Sequence, residues 1–329
     1  MSGTLNLKRS VIVGCGGYLP EKVVTNHDLA KIVDTSDEWI TERTGIRKRH
    51  FAAKDQPTSE LAVKAAHVAL QNARIRAEDL DLIVVATATP DRTLPSTAVI
   101  VQGKLGNNKG LAFDVAGVCA GFLLALNVVD NFLKSGQGKY ALVIGAEAMT
   151  SLLDMGDRRT CVLFGDGAGA VVVEAKNRDD IGGDRGVLGV HLQSDGHLHN
   201  ILYSDGGPST NGKVGKLRMD GQEVYRHAVT KLTDSAKRIL ASHELTVDDI
   251  DWFIPHQANI RIIESVAQKL KFPMDKVVLT VQDHANTSAA SIPLALWVAS
   301  AEGRVKAGDL ILHEAIGGGL IWGSALVRF

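Results

Sequence analysis

The chain lacks the features that mark secreted proteins and nucleic-acid-binding proteins. Only three cysteines, Cys15, Cys119 and Cys161, occur among 329 residues. So sparse and odd a set argues for free thiols in a reducing compartment and against a disulfide framework. Lysine and arginine number 36 against 37 acidic residues, so no global charge attracts nucleic acid or an anionic membrane. We therefore expect a cytoplasmic protein.

Long apolar runs, low-complexity segments and coiled-coil heptads are also missing. The apolar run near the N-terminus is soon interrupted by three glycines and Pro20, so neither a signal peptide nor a membrane span fits. What the chain does have is a hydrophobic fraction of 45%. That fraction is ample for the core of one large domain or of two domains of ordinary size.

Two halves of the chain share one order of strand-like and helix-like segments. In the first half ELAVKAAHVALQNARI leads into LIVVATATP, and in the second HAVTKLTDSAKRILASHEL leads into WFIPHQAN. Each half continues through a strand (LAFDV or KVVLTV), a helix, a further strand, and a glycine loop with a last strand. Such alternation predicts sheets sandwiched by helices. We predict an α/β protein of two pseudo-duplicated βαβαβ halves, residues 1–180 and 181–329, joined through the polar stretch KNRDDIGGDRG.

Cys119 is the cysteine whose surroundings suggest chemistry. It follows a strand-like run in FDVAGVCAGF and opens a helical pattern. Helix termini and a nearby imidazolium can lower a thiol pKa from ~8.5 to ~3.5 to 7.5, which favours the reactive thiolate. Small neighbours leave room for an incoming carbonyl. Cys119 is therefore predicted to be a nucleophile, whereas Cys15 and Cys161, inside strand-like runs, are predicted to be buried structural thiols.

His256 and Asn286 are the matching candidates in the second half. They follow strand-like runs in WFIPHQAN and QDHANTSAAS, and the pseudo-repeat predicts that both face Cys119. Asn286 cannot gain or lose a proton, so we expect two neutral donors able to stabilise an enolate oxygen. The glycines 317–319 offer a close backbone that forms an oxyanion hole with the Cys119 N–H. The long irregular stretch SDGHLHNILYSDGGPSTNGKVGK is expected to line this site.

Other functions fit the sequence less well. Papain-type proteases also have catalytic Cys, His and Asn residues in this chain order, but the CGSCW-like sequence around their cysteine is missing here. VIVGCGG and FGDGAGA do not complete a dinucleotide-binding fingerprint. A loop with three histidines and no cysteine is a weak metal site, and the basic run 47–50 has no interleaved aromatics for nucleic acid. A non-catalytic scaffold is disfavoured because all three polar site residues are present.

The segments DVAGVCAGF, IPHQANIRII, HANTSAAS and GGGLIWGSALVRF resemble the 3-oxoacyl-[acyl-carrier-protein] synthase III family, the initiating condensing enzymes of type II fatty acid synthesis. The likeness runs from the first strand to Phe329 and contains several long motifs in the family's order. It implies the thiolase fold, a layered αβαβα sandwich, a homodimer, and a Cys-His-Asn site that works by a ping-pong route. The alternatives left open are a thioesterase or a related acyltransferase of a specialised pathway that uses the same acyl-cysteine.

The resemblance also implies roles for these residues. Cys119 takes an acyl group from acyl-CoA, and malonyl-acyl carrier protein then loses carbon dioxide while His256 and Asn286 hold its thioester oxygen. The carbanion attacks the acyl-enzyme, and the amides of Cys119 and Gly318 hold the tetrahedral oxyanion. CoA is a substrate in this scheme, so no cofactor and no metal is expected.

Further positions match the family's substrate contacts. Those matching CoA-binding positions are Thr35, Trp39, Arg43, Arg158, Met219, Gly221, Tyr225, Ala258 and Asn259. Arg261 matches a basic position for the carrier protein, and Lys269 and Lys271 are expected to extend that patch. Leu94 and Met149 match the acyl pocket. Leu94 stands where many family members that use acetyl-CoA have phenylalanine, which predicts a longer or branched primer, while Gln222 replaces a more usual asparagine.

Overall fold

The computed structural model describes residues 8–181 and 183–329. Within those ranges the α-helices are α1 Asn26–Leu29, α2 Asp37–Thr44, α3 Thr58–Ala73, α4 Thr97–Leu105, α5 Gly121–Lys134, α6 Gly221–Ser242, α7 Ile260–Leu270, α8 Val281–His284 and α9 Ser291–Ala301. The strands there are β1 Lys8–Tyr18, β2 Lys22–Thr25, β3 Lys48–Phe51, β4 Leu82–Ala86, β5 Leu111–Val115, β6 Tyr140–Glu147, β7 Gly167–Asn177, β8 Gly186–Ser194, β9 Leu202–Ser204, β10 Leu217–Met219, β11 Trp252–Pro255, β12 Leu310–Gly317 and β13 Ile321–Arg328.

The duplicated order of segments forms two sheets whose first four strands follow the same order, and the first sheet has a fifth strand, β5. The first sheet has the order β1-β7-β6-β4-β5, and the second has the order β8-β13-β12-β11. In the first sheet β7 lies between β1 and β6 and pairs antiparallel with both. In the second sheet β13 lies between β8 and β12 and likewise pairs antiparallel with both. The pseudo-duplication predicted from the sequence is therefore confirmed. Membership changes from one sheet to the other between Asn177 and Gly186, while the division at residues 180 and 181 stays a prediction.

Helices pack on both faces of each sheet. Helices α3 and α4 cover the outer face of the first sheet with an apolar cluster, and α6 and α7 cover the outer face of the second. Between the sheets lie α5 and α9, whose buried side chains share one core with strands of both halves. The result is the αβαβα sandwich of the thiolase fold, as the resemblance implied.

One predicted strand is wrong. KVVLTV, residues 276–281, makes only an isolated bridge between Val277 and Phe253. The buried side chain of Gln257 hydrogen-bonds to the backbone of this segment. Its amide oxygen accepts from the N–H groups of Thr280 and Val281, and its amide nitrogen donates to the carbonyl of Val278. The Val278 N–H still donates to the Phe253 carbonyl of β11 at 2.9 Å, but the Gln257 side chain takes the next backbone groups where a strand would continue to pair, and the segment turns into α8. Cys161 likewise lies in a turn, although it is buried as predicted.

Two insertions stand outside the repeated pattern. Residues 22–51 carry β2, α1, α2 and β3, and α2 packs against α7. Residues 196–219 carry the small β9–β10 sheet. Both insertions lie next to the site described below, and they supply most of the residues at its entrance.

Candidate active site

Cys119 lies in a short 3₁₀ turn, Val118–Ala120, which runs directly into α5. The sequence therefore placed this thiol correctly at a helix start. The residue is buried, with 4% of its surface exposed. Val118, the residue before it, has a φ of 46°, a left-handed conformation that costs a residue with a side chain roughly 1 kcal/mol or more and that persists only where surrounding contacts hold it.

Asn286 is held by a second turn of the same kind, Ser288–Ala290, which leads into α9. Ala285 and Ser288 have φ angles of 58° and 50°, so the strained backbone again adjoins the polar residue. The Asn286 side-chain oxygen accepts from the Ser288 N–H at 2.8 Å. This contact assigns the oxygen to the protein and leaves the amide N–H₂ to donate toward the cavity.

His256 follows β11, where its backbone N–H donates to the Glu314 carbonyl at 2.7 Å. Its Nδ1 lies 2.5 Å from the Ser291 hydroxyl oxygen, which also accepts from the Gln257 N–H at 3.3 Å. Because Ser291 has one proton to donate and His256 Nδ1 is the acceptor within reach, the hydroxyl proton points to Nδ1. The imidazole proton then resides on Nε2, the nitrogen left for the cavity.

A cavity of about 160 Å³ brings the three residues together. Cys119, His256 and Asn286 all line it, so the sequence prediction that they converge on one pocket is confirmed. The rest of its wall is mostly apolar and is formed by Val118, Met149, Leu163, Phe164, Leu202, Leu217, Met219, Gly221, Val224, Tyr225, Ala258, Asn259, Ile262 and Ile316. Leu202 belongs to the long irregular stretch, which thus lines the site as expected.

Burial sets the charge state of the pair. It raises the pKa of the Cys119 thiol to about 12, although the nearby Ser288 hydroxyl acts in the opposite direction. It lowers the pKa of His256 to about 3. The prediction of a depressed thiol pKa is therefore wrong, because removing the sulfur from water outweighs its position at a helix start. At neutral pH the resting site holds a thiol and a neutral imidazole.

Two glycines allow the polar turns to approach the sheets. A Cβ on Gly145 in β6 would lie 2.1 Å from the Ala289 carbonyl oxygen, and one on Gly317 would lie 2.7 Å from the Cys119 nitrogen. Each backbone contact thus requires a residue without a side chain. Gly318 follows in the turn to β13, and within the described residues its N–H donates to no carbonyl or side chain.

A second, wider cavity of about 750 Å³ adjoins the first and shares Met219 and Gly221 with it. Trp39 and Arg43 line it, and the guanidinium groups of Arg43 and Arg158 lie 5.0 and 5.2 Å from the Trp39 ring centroid. Other lining residues are Arg159, Asn200, Tyr203, Arg218, Asp220 and Gln222. The wide cavity therefore forms a cationic, aromatic mouth to the narrow one.

The predicted CoA contacts divide between these cavities. Met219, Gly221, Tyr225, Ala258 and Asn259 line the narrow one, while Trp39 and Arg43 line the wide one. Arg158 reaches this region through its contact with Trp39. Thr35 lines neither cavity, although its hydroxyl oxygen is buried without a partner among the described residues.

The remaining predicted residues lie at the edges of the site. Met149 lines the narrow cavity, but Leu94 does not and is 77% exposed. Arg261 is exposed at the start of α7, where its Nε donates to the Glu42 carbonyl at 3.2 Å. Lys269 and Lys271 are exposed near the end of the same helix.

Several site residues escaped the sequence analysis. Ser288 and Ser291 lie in the quoted motif HANTSAAS, and Glu147 ends the strand YALVIGAE. Two serines within five residues of Asn286, at the start of a helix, were the available signal.

Among the described residues no group of three or more histidine, cysteine or acidic side chains is arranged to hold a metal. No described helix combines the length and apolar character needed to cross a membrane.

Comparison with known proteins points to one family. Residues 113–196 match the model for 3-oxoacyl-[acyl-carrier-protein] synthase III, and residues 240–329 match the model for its C-terminal part. The chain is 59% identical to beta-ketoacyl-[acyl-carrier-protein] synthase III of Rhodospirillum centenum over 98% of this chain and 99% of that protein. It is 58% identical to the enzyme of the same name from Paramagnetospirillum magneticum, over 97% and 99% of the two chains.

Solved structures give the same result. The crystal structure of 3-oxoacyl-[acyl-carrier-protein] synthase III from Aquifex aeolicus superposes with a TM-score of 0.92 at 45% identity. The match covers 97% of this chain and 100% of that one.

Proposed function

This chain belongs to the 3-oxoacyl-[acyl-carrier-protein] synthase III family, and we propose that it joins an acyl group from acyl-CoA to malonyl-acyl carrier protein through an intermediate on Cys119. It is the initiating condensing enzyme of fatty acid synthesis, an acyltransferase. The observation that carries the residue assignments is the single narrow cavity lined by Cys119, His256 and Asn286.

In the first half-reaction the Cys119 sulfur attacks the acyl-CoA carbonyl. The tetrahedral oxyanion is held by the N–H groups of Cys119 and Gly318. Support for this pair comes from the close approach of Gly317 to the Cys119 nitrogen and from the uncommitted N–H of Gly318. Each such donor contributes roughly 2.7 to 4 kcal/mol in comparable oxyanion holes. CoA then leaves, and Cys119 retains the acyl group as a thioester.

In the second half-reaction His256 and Asn286 act on malonyl-acyl carrier protein. His256 Nε2–H and the Asn286 amide donate to the malonyl thioester oxygen, so charge delocalised onto that oxygen is stabilised as carbon dioxide leaves. Both donors are neutral, which suits a buried site, because a charged partner would carry its own desolvation cost. The carbanion attacks the acyl-cysteine and forms a 3-oxoacyl product two carbons longer.

Substrates enter by the wide cavity. An indole with guanidinium groups 5.0 and 5.2 Å from its ring centroid suits the adenine of CoA, since an aromatic ring and a planar guanidinium can each stack on the base. Arg43, Arg158, Arg159 and Arg218 supply positive charge for its phosphates. Arg261, exposed at the start of α7 beside Asn259, is assigned to the acidic carrier protein. CoA serves as a substrate, and no cofactor is needed, because decarboxylation and acyl transfer balance without an external oxidant or reductant.

The active form is a homodimer in the cytoplasm. Strand β5 is the edge of the first sheet, and its residues Leu111 to Val115 are exposed or half-buried. An unpaired edge of this kind is usually covered in native proteins. Leu94 then extends toward the partner's acyl pocket, which accounts for its exposure in one chain. The three free cysteines suit a reducing compartment.

The test follows the acyl group through both steps. The protein is incubated with a panel of acyl-CoAs, the added mass is located on Cys119, and malonyl-acyl carrier protein is then supplied. We expect the label to leave as a 3-oxoacyl product two carbons longer. Release of a free fatty acid without a new carbon–carbon bond would indicate a thioesterase, and failure to label Cys119 would refute the nucleophile.

A further inference from the structure

Glu147 is a buried carboxyl group that the mechanism above does not use. It ends β6 and has no exposed surface. Its oxygens accept from the Ala88 N–H at 3.1 Å and from the Thr89 hydroxyl at 2.7 Å, with Thr87 more distant at 3.3 Å. This set of donors stabilises an ionised carboxylate in the interior, where an unpaired charge is otherwise costly.

One further donor connects this carboxyl group to the nucleophile. The Ser288 hydroxyl donates to Glu147 Oε1 at 2.9 Å, and its oxygen is close enough to the Cys119 sulfur to influence the pKa of that thiol. A hydroxyl donates one proton and accepts others, so a Ser288 oxygen that donates to Glu147 is free to accept from the thiol and to pass a proton between the two groups. Its φ of 50° is a strained backbone conformation maintained at this position.

The two acidic groups oppose each other's ionisation. The negative charge of Glu147 adds to the effect of burial in raising the pKa of Cys119, and burial raises the pKa of Glu147 itself to about 7. Two adjacent acids in a low dielectric share one negative charge more easily than they hold two. The site therefore favours either a carboxylate with a thiol or a carboxylic acid with a thiolate.

We propose that Glu147 accepts the Cys119 proton through the Ser288 hydroxyl when the thiol attacks acyl-CoA. The S–H bond breaks and its proton forms a bond to Ser288 Oγ, while the original Ser288 hydroxyl proton moves to Glu147 Oε1. The freed sulfur electron pair forms the new C–S bond. The C–S bond to CoA then breaks, and CoA leaves with that electron pair and takes a proton from water. This inference rests on the proposed role of Cys119 as acyl acceptor.

The same relay closes the cycle. During the acyl-enzyme stage Glu147 is a neutral acid, so it does not repel the malonyl carboxylate. When the carbanion attacks the acyl-cysteine, the sulfur leaves as a thiolate and takes the Ser288 proton, and Ser288 takes the proton from Glu147. The carboxylate and the thiol are thereby restored, and one proton from water has been consumed on CoA.

The other groups around Glu147 do not replace it. The loop after β4 contributes the neutral Thr87 and Thr89, and the turn before α9 contributes the neutral Ser288. Asp166 is the residue before Gly167, and Gly167 pairs with Glu147 in the sheet. The oxygens of Asp166 accept from the Ala52 N–H and from the N–H and hydroxyl of Thr150. His256 has its Nδ1 on Ser291. Cys119 is thus the titratable group coupled to Glu147.

The test measures single-turnover acylation of Cys119 between about pH 5 and 8. For the wild-type protein we expect the rate to rise through a midpoint near 7, as Glu147 becomes ionised. Glu147→Gln and Ser288→Gly should each slow acylation about 100-fold, the lower end of what a positioned base contributes, and abolish this midpoint. The double variant should be no slower than either single one, because both interrupt one relay.

The variants are chosen to separate proton transfer from folding. Glycine is favourable at a φ of 50° and keeps the backbone N–H that Asn286 accepts from, so Ser288→Gly removes the CH2OH side chain, and with it the hydroxyl, while the backbone contact is kept. Glu314→Gln is the matched control. It alters another fully buried carboxyl group with a raised pKa, which accepts from Ser324. It keeps the Glu314 backbone carbonyl that accepts from the His256 N–H, and it should leave both the acylation rate and the midpoint unchanged.

Several outcomes would overturn the relay. One is a Ser288→Gly variant that is acylated at the wild-type rate. The others are a pH profile of acylation that keeps its midpoint in Glu147→Gln, and one that keeps its midpoint in a slow Ser288→Gly variant. If Glu147→Gln does not fold, Ser288→Gly decides alone. A wild-type protein that is never acylated on Cys119 would instead refute the proposed function.

Discussion

The Ser291 hydroxyl lies 2.5 Å from Nδ1 of His256. This contact, made by the first residue of α9, fixes which ring nitrogen carries the proton. It also orients the ring, because the same oxygen accepts from the Gln257 N–H. His256 is therefore presented to the cavity as a neutral donor through Nε2.

Replacing Ser291 with alanine should impair condensation more than acylation. The change leaves Nδ1 buried without a partner, a loss of about 1 to 3 kcal/mol, which corresponds to a decrease of roughly 5- to 150-fold. Rapid-quench rates of each half-reaction measure the difference. Ser235→Ala is the control, since it removes a buried hydroxyl that contacts Ser324. Equal losses in both half-reactions would contradict the role of Ser291.

His256 should remain neutral throughout the working pH range. Burial lowers its pKa to about 3, so the imidazolium forms only when the pH falls far below neutrality, and raising the pH adds no further change. Imidazole ¹⁵N and ¹H resonances, assigned by their loss in His256→Ala, should show an Nε2–H tautomer that does not titrate between about pH 5 and 8. A midpoint near the ordinary value of about 6.5 would contradict this charge state.

Gly145→Ala should damage both stability and activity. The added carbon would lie 2.1 Å from the Ala289 carbonyl oxygen, so the turn bearing Ser288 must shift, and such overpacking costs about 1 to 3 kcal/mol. Denaturant unfolding and condensation rate measure the two effects. Gly103→Ala in α4 is the control: a Cβ there meets nothing within 4 Å, and alanine should stabilise the helix by up to about 1 kcal/mol. A Gly145→Ala variant as stable and active as wild type would exclude this close packing.

Trp39→Ala should weaken acyl-CoA use selectively. Loss of the indole beside the Arg43 and Arg158 guanidinium groups removes about 1 to 2 kcal/mol of stacking, or roughly a tenfold decrease in kcat/KM for acyl-CoA. The KM for malonyl-acyl carrier protein should not change, and Trp39→Phe should restore part of the loss. An equal effect on both substrates would mean that Trp39 supports the fold of residues 22–51 and does not bind CoA.

Leu94→Phe should shift the enzyme toward short primers. The larger ring is expected to fill part of the partner's acyl pocket, so the ratio of kcat/KM for octanoyl-CoA to that for acetyl-CoA should fall. Sedimentation of the wild-type and variant proteins checks that both form the proposed dimer. Similar octanoyl-CoA priming by the leucine and phenylalanine forms would count against a role for this position in chain length.

The sequence was sufficient for the architecture and the three polar residues at the cavity. Apolar runs and helical periods report which faces are buried, and their repetition in two halves predicts two matching sheets. What it did not predict depends on tertiary contacts between distant residues. Gln257 converts KVVLTV from a strand into an irregular segment, and the Glu147–Ser288 contact joins residues 141 positions apart. The pKa of Cys119 could not be predicted either, because the depth of burial appears only in the folded chain.

The most direct test of the account is to separate its half-reactions by substitution. Cys119→Ala cannot accept an acyl group, but it retains His256 and Asn286. We predict that it still releases carbon dioxide from malonyl-acyl carrier protein, whereas His256→Ala becomes acylated on Cys119 and releases none. Normal carbon dioxide release by His256→Ala, or none by a folded Cys119→Ala protein, would contradict the assignment of acyl transfer to the cysteine and decarboxylation to the two neutral donors.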